Sequence, residues 1–443
     1  MTEHDMSDEP RIHLLSGLLA GGAANGATHL QHGLRKAGVN SCLHYPAGLK
    51  VGPEIRQLQQ DGCQPLTWNS GGLNKLKRKI SHRIDRQIFK HKIRGRDPGQ
   101  EFFTSPRGAP HTPWPPTSVE PQPNDIIHLH WVAKFIDYTS FFQSLPKHQP
   151  VIWTLHDMNP FTGGCHFSEG CEQFIQHCGN CPQLPSRGPD DISRQTFSIK
   201  MQALRDVNLH IVTVSHWMTE QSEKSPIFEH AQDFHHIPYG LAMDVFKPLN
   251  KQDAREQLGI DKDAFVFSFG AADIRNRRKG LAPLLKSLEV IADVPNTLGL
   301  MFGGGSVPKV EHAIPELRIM GFIRDIQQMV LIHSACDVFV MPSLEDNLPF
   351  TCLEALATGI PVVGFDAGGV PDMVRPGITG WLVQSGDSLG MGNQLKYIAE
   401  HRDEAARLGC KAREVAINEY SQDREVTDYK ALYQEVLQQA AKC

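Results

Sequence analysis

A chain of 443 residues is long enough for two or three domains with sizeable cores, and 40% hydrophobic with 21% charged residues is a globular mixture rather than a disordered one. The formal charge of -5 gives no reason to expect nucleic acid as a partner. No apolar run reaches the length of a membrane span, and Met1 to Pro10 is polar and acidic, unlike a signal peptide, so the expected location is cytoplasmic.

Arg11 to Leu15 predicts a first strand, and Ser16 to Ala24 turns from it into a helix running to about Lys36 and stopping at Gly38. Strand, glycine-rich turn and helix open a nucleotide-binding type of unit, in which Gly21, Gly22 and Ala23 let backbone amides approach a ligand. Two glycines are not the three-glycine dinucleotide fingerprint, so a nicotinamide cofactor gains little support. Between Leu73 and Ile93, Leu73, Leu76, Ile80, Ile84, Ile88 and Ile93 recur at mostly helical spacing among eight Lys and Arg residues, with Asp85 nearly the sole acid. Such a basic amphipathic helix suits an anionic membrane surface, here through residues 73–96; the alternative is a solvated helix packed on the N-terminal domain. Gly99 to Pro123 is rich in Pro and Ser and reads as a loop.

Asp125 to Trp131 and Val151 to Asp157 predict two parallel strands ending in polar residues. His156 stands where the second strand gives way to a loop, where a neutral imidazole can donate to a ligand hydroxyl or a developing charge; a structural role is the alternative. His130 and Trp131 are weaker candidates for ligand contacts. Cys165, Cys171, Cys178 and Cys181 follow, spaced C-x5-C-x6-C-x2-C, with Gly179-Asn180 inside the last pair. That pair has the shape of a knuckle holding one side of a tetrahedral zinc, and two further thiolates complete four ligands. Zinc there is structural, since four thiolates leave no open position; His166 and His177 are alternative ligands, and disulfides or free thiols are competing readings.

A second series of strands and helices opens at Phe265 to Gly270, and its loop contains Arg275, Arg277, Arg278 and Lys279, enough charge to neutralise a diphosphate. Asp337 to Met341 predicts a buried strand. Its loop carries Glu345 and Asp346, and the helix beginning near Pro349 stops at Gly359. In an open parallel sheet such loops bind ligands: the helix amides around Leu348, Pro349, Phe350 and Thr351 suit a phosphate oxygen, while Glu354, a turn or so inside, can hold another part of one nucleotide-linked ligand.

Asp346 to Glu354 has the spacing of the acidic-x(7)-Glu signature, and with Pro342-Ser343, Asn347-Leu348-Pro349, Leu353-Glu354-Ala355 and Gly359 to Val363 it resembles the retaining glycosyltransferases of family four. The first acid of that signature is usually Glu; here it is Asp346, with Glu345 one place out of register. Trp153 to Leu184 is similar to a subgroup of bacterial glycosyltransferases associated with exopolysaccharide and colanic-acid-type clusters. The resemblance implies an α/β fold of GT-B type, two Rossmann-like domains facing across a cleft, with residues 1–240 on the acceptor side, 241–415 binding the nucleotide-sugar, and a C-terminal helix within 416–443 crossing back to the first domain. It implies that Gly21, Gly22 and Ala23 face the donor diphosphate and acceptor, that Arg278 and Lys279 clamp the phosphates with Arg275 as the alternative, that Glu354 binds the ribose, and that Asp346 and His156 hold the sugar. The implied reaction is retaining transfer from a nucleotide-diphosphate sugar to a glycan or lipid-linked glycan hydroxyl, with no cofactor required for catalysis, peripheral on the inner face of the cytoplasmic membrane. A non-catalytic sugar-nucleotide or glycan-binding module is the alternative.

Overall fold

The structure, a computed structural model, describes residues 10–48, 63–68, 73–109, 111–122 and 124–441, so Met1 to Glu9, Cys443 and the side chains of Leu73, Lys75, Leu76, Lys77 and Lys79 lie outside it. The chain divides into two compact units, Met1–Ile237 with Glu425–Cys443, and Pro238–Arg424.

The first unit is built on a seven-stranded sheet in the order β3-β2-β1-β4-β5-β6-β7. Its strands are β1 Ile12–Leu15, β2 Ser41–Pro46, β3 Gln64–Leu66, β4 Ile126–Leu129, β5 Val151–Leu155, β6 Leu209–Thr213 and β7 Asp233–His236. Every pairing is parallel. Parallel sheets are covered on both faces, which is why β4, β5 and β6 are wholly buried instead of alternating with polar residues. The two-residue period sorts the side chains: Ile127, Trp153 and Ile211 enter one core, and Ile126, Ile152 and Val212 the other.

The second core is closed by Leu30 and Leu34 of helix Gly22–Lys36 and by Val426, Tyr429, Leu432, Tyr433 and Val436 of helix Gln422–Ala440. Their helical spacing explains why the end of the chain returns to this sheet: each such side chain, once buried, contributes about 1.5–3 kcal/mol before conformational entropy is subtracted. Two polar contacts fix the helix, Tyr429 Oη to Thr154 Oγ1 at 2.7 Å and Tyr433 Oη to His128 Nδ1 at 2.9 Å. The sequence placed the start of this segment at 416. The units instead part after Arg424, because helix Arg402–Glu419 ends separately and backbone hydrogen bonds hold residues 420 to 422 to Leu241.

The second unit has a six-stranded sheet in the order β10-β9-β8-β11-β12-β13. Its strands are β8 Phe265–Asp273, β9 Thr297–Gly304, β10 Glu316–Gly321, β11 Val338–Met341, β12 Val362–Asp366 and β13 Gly380–Gln384, again all parallel. Both sheets run outward in two directions from a central pair, so each has a switch point: β1 beside β4, and β8 beside β11. Loops leaving the carboxyl ends of strands at such a point diverge and leave a crevice. The glycine turn at 21–22, the basic loop at 275–279 and the acidic loop at 345–346 all leave those strands.

Helix Leu73–Lys92 forms as the sequence predicts, and Phe89 with Ile93 packs onto a small cluster with Phe103, Cys181 and Leu184. Its stripe of Ile80, Ile84 and Ile88 stays about half exposed, at 51%, 53% and 52%. Among the described residues no helix is long and apolar enough to cross a membrane.

Candidate active site

At the switch point of the second unit, the loops after β8 and β11 interlock. Arg277–Lys279 forms a short 3-10 turn, with the Asn276 side chain accepting from the Arg278 amide at 3.1 Å. Gly280 ends the turn at φ 76, and a Cβ there would lie 1.7 Å from the Pro342 carbonyl oxygen, so only glycine permits the approach. Leu344 then donates its amide to the Arg278 carbonyl at 2.8 Å.

This contact presents Asp346 to both cations. Its Oδ1 lies 3.0 Å from Arg278 Nη1 and its Oδ2 lies 2.6 Å from Lys279 Nζ. The Ser343 hydroxyl donates to Oδ2 at 3.2 Å, and the Asn347 amide donates to Oδ1 at 3.1 Å. Gly368, at φ 58, brings its backbone against the Asp346 carbonyl, which accepts from the Gly369 amide at 2.9 Å. Burial opposes ionisation of Asp346, but Lys279 and Arg278 outweigh it and hold the carboxyl down to about 2. The aspartate is therefore charged, and its first partners are the two cations. Arg275 is 66% exposed and pairs with Asp273 at 2.8 Å, while Arg278 is 8% exposed and also donates to the Glu345 carbonyl.

Helix Phe350–Ala357 begins beside this cluster. Pro349 is its N-cap residue in extended geometry, and the Leu348 and Phe350 side chains are buried, the latter stacked on Tyr239 at 4.7 Å. What this end can offer a ligand is backbone, since the first-turn amides of a helix face no intrahelical carbonyl. Glu354 lies a turn further on. Its Oε2 is enclosed and accepts no hydrogen bond among the described residues, and burial lifts the carboxyl to about 7. An enclosed carboxylate oxygen without a donor is costly, and a hydroxyl donor placed against it would remove that cost.

In the first unit, His156 follows β5 and is 8% exposed. His130 Nδ1 meets His156 Nε2 at 2.9 Å; burial lowers the His156 imidazole to about 4, so the ring is neutral at physiological pH. Asp157 beside it accepts from the Trp131 indole at 2.9 Å and from His166 Nδ1 at 2.7 Å. His166 in turn meets Thr104 Oγ1 at 3.0 Å. Gly21 has φ 95, and a Cβ at Gly21 or Gly22 would meet nothing within 4 Å; the adjoining Ala23 lies in the first turn of its helix.

Cys165, Cys171, Cys178 and Cys181 line a single pocket with Phe103 and Phe174, and all are free thiols. Burial pushes Cys178 up to about 12 and Cys181 up to about 11.

The structure gathers Arg278, Lys279, Asp346 and the start of the Glu354 helix, and it places His156 in a separate network of rings. Sequence pattern did not single out Ser343 as a partner of Asp346, or Gly368 as its backbone support. The one available signal for the latter was the Gly368-Gly369 pair after a strand, which reads as an ordinary turn.

Two doubly wound parallel sheets are the GT-B class of fold, which solved structures superposing on this chain share. Residues 265–401, which include Arg278, Lys279, Asp346 and Glu354, match the family model described as Glycosyl transferases group 1. Over 261 residues the chain is 27% identical to the putative colanic acid biosynthesis glycosyl transferase WcaC of Escherichia coli strain K12, covering 54% of this chain and 58% of that protein. The chain spans about half the length of the curated relatives it matches. Among solved structures, sucrose-phosphate synthase from Thermosynechococcus elongatus superposes with a TM-score of 0.63 at 18% identity, over 97% of this chain and 99% of that one. Anabaena HepE in complex with UDP and glucose does so with a TM-score of 0.59 at 15% identity, over 96% of this chain and 100% of that one.

Proposed function

We propose that the protein is a retaining glycosyltransferase that moves a sugar from a nucleotide-diphosphate sugar to a hydroxyl of a glycan or lipid-linked glycan, in the synthesis of an extracellular or surface polysaccharide. The observation that carries this is the meeting, at one switch point, of two cations, a charged aspartate and the amino end of a helix whose Glu354 has an unmatched carboxylate oxygen. The diphosphate of the leaving nucleotide takes its compensating charge from Arg278, Lys279 and the helix amides, so no catalytic metal or other cofactor is required. Glu354 accepts from the ribose hydroxyls. Asp346 holds Lys279 and Arg278 in place and takes a sugar hydroxyl when the phosphates draw the cations away. His156, uncharged, donates to the sugar. Same-face attack, with the leaving phosphate accepting the acceptor proton, needs no side-chain nucleophile and retains configuration.

Support for a nucleotide-sugar donor comes from the group 1 domain and from the UDP and glucose bound by the structural neighbour HepE. Support for a polysaccharide acceptor comes from the naming of the relative WcaC. The half-exposed Ile80, Ile84 and Ile88 stripe, flanked by Arg83, Arg86 and Lys90, suits an anionic lipid surface, as a lipid-linked acceptor requires.

The test is nucleotide release from a panel of nucleotide-diphosphate sugars, with and without acceptor glycans. Slow release with at least one donor is expected, and Lys279→Met should lower it by two orders of magnitude or more. Tight donor binding without release, even with acceptors, would instead identify a sugar-nucleotide-binding module.

A further inference from the structure

The cysteine pocket is outside the chemistry proposed above. We propose that Cys165, Cys171, Cys178 and Cys181 form a structural zinc site that locks the loop after β5, and through it the Asp157 and His166 contacts beside His156. The proposal stands whether or not the transfer reaction does.

Three observations converge on it. First, all four thiols line one pocket, although they are spread over seventeen residues of a loop with only short 3-10 turns in it. The segment is held in two places: Phe174 and Cys178 enter the large core beside Phe161, and Cys181 packs with Phe103 and Leu184. Second, the backbone at the last pair is left-handed for four residues in succession, His177 at φ 76, Cys178 at 58, Gly179 at 110 and Asn180 at 48. Three of these are not glycine, and such conformations persist only where surrounding bonds over-determine them. The turn presents the Cys178 sulfur to the Gly163 amide, which donates to it at 3.2 Å, the bond that a metal-bound thiolate accepts.

Third, the charge around the pocket suits a dianionic tetrathiolate zinc. Lys200 is fully buried, and its ammonium donates to the backbone carbonyls of Asn159 and Thr162, the latter at 3.0 Å. Arg96 donates to the Gln183 carbonyl at 3.1 Å. Arg96 also lies over the ring of Phe103, which lines the pocket, at 5.0 Å, and Lys200 bonds to Thr162 beside the lining residue Gly163. Two cations beside the pocket suit the net negative charge that four thiolates on one divalent ion carry.

Zinc–sulfur bonds of about 2.3 Å set the sulfurs of a tetrahedron about 3.8 Å apart. The described residues that already bring three donor atoms within 4.8 Å include His210, Asp233 and His235, but there the donors are spent on one another, Asp233 Oδ1 accepting from His210 at 2.8 Å. The cysteine sulfurs are not among the groups that already lie within 4.8 Å of one another, so the proposed site requires them to draw together as the ion binds. Cys165 carries the effect onward, because it precedes His166, whose ring binds Asp157 and stacks on Trp131 at 5.5 Å.

The full-length chain, purified under reducing conditions without chelator or added metal, should contain about one zinc per molecule by elemental analysis. Cobalt exchanged into it should give thiolate-to-metal absorption in the near ultraviolet. Cys178→Ser with Cys181→Ser should lose both signals, while Cys410→Ser, at an exposed thiol, should keep them. Removing the metal should expose the 159–190 loop to proteolysis at least tenfold faster. Unaltered chain that carries no zinc and takes up no cobalt, or whose four thiols are recovered as two disulfides, overturns the proposal without reference to how any variant folds.

Discussion

Replacing Glu354 by Gln keeps the shape of the side chain and removes its charge, so it should stabilise the free protein and weaken the donor complex. Burial lifts the carboxyl from 4.5 to about 7 in the folded state. A proton is therefore held in the folded chain that the unfolded chain releases. The stability associated with the group is complete below pH 4.5 and is lost as pH rises to about 7. At 1.36 kcal/mol for each tenfold change, the full cost is about 3 kcal/mol, and the residue's partial contact with water reduces it to about 2 kcal/mol. E354Q should thus gain nothing over the parent at pH 4, several degrees of melting temperature at pH 8, and no more beyond that. A charged hydrogen bond is worth about 1.5–3 kcal/mol, so the same change should weaken a nucleotide-diphosphate sugar by about 10- to 100-fold. Thermal melts across pH 4 to 9, with calorimetric titration of the donor, measure both effects. A variant no more stable at pH 8 than at pH 4 relative to the parent, or one that binds donor undiminished, refutes the assignment.

Asp346→Asn should cost most near neutrality. The carboxyl is held at about 2, so its stabilisation is present above pH 3.8 and disappears as pH falls through 2; the deficit of the variant, about 2 kcal/mol at pH 7, should shrink across that interval in denaturant titrations. Because His156 is neutral above about pH 5, His156→Ala should lower turnover while leaving the shape of the activity profile between pH 6 and 8 unchanged; a displaced acid limb would show that this ring titrates in the working range. Arg83→Glu with Arg86→Glu should reduce binding to phosphatidylserine vesicles by more than tenfold, at about 1 kcal/mol per basic residue lost, and parent binding that ignores lipid charge and salt would remove the membrane role.

Much of the local structure was legible in the chain itself. The buried runs Ile126 to Leu129, Val151 to Leu155 and Val338 to Met341 could only be strands covered on both faces, and Gly359 stops its helix because the residue there has φ 73. The acidic-x(7)-Glu spacing and the basic loop were equally open to reading, since both lie within single strand-loop-helix units. The four cysteines announced themselves by spacing, though not the single pocket that they line together.

What needed tertiary structure was whatever depends on which strands are neighbours. Residues 278 and 346 are 68 positions apart, and only the crossover that sets β8 against β11 makes Lys279 and Arg278 the partners of Asp346. That pairing alters the reading of the aspartate, from a group awaiting a sugar to one already holding two cations. Likewise the neutrality of His156 follows from burial beside another imidazole, and the unmatched oxygen of Glu354 from its enclosure, neither of which leaves a local pattern. Periodicity and turn chemistry are short-range properties and are written in neighbouring residues. Ionisation, desolvation and ion pairing depend on distances through space, which only the folded sheet determines.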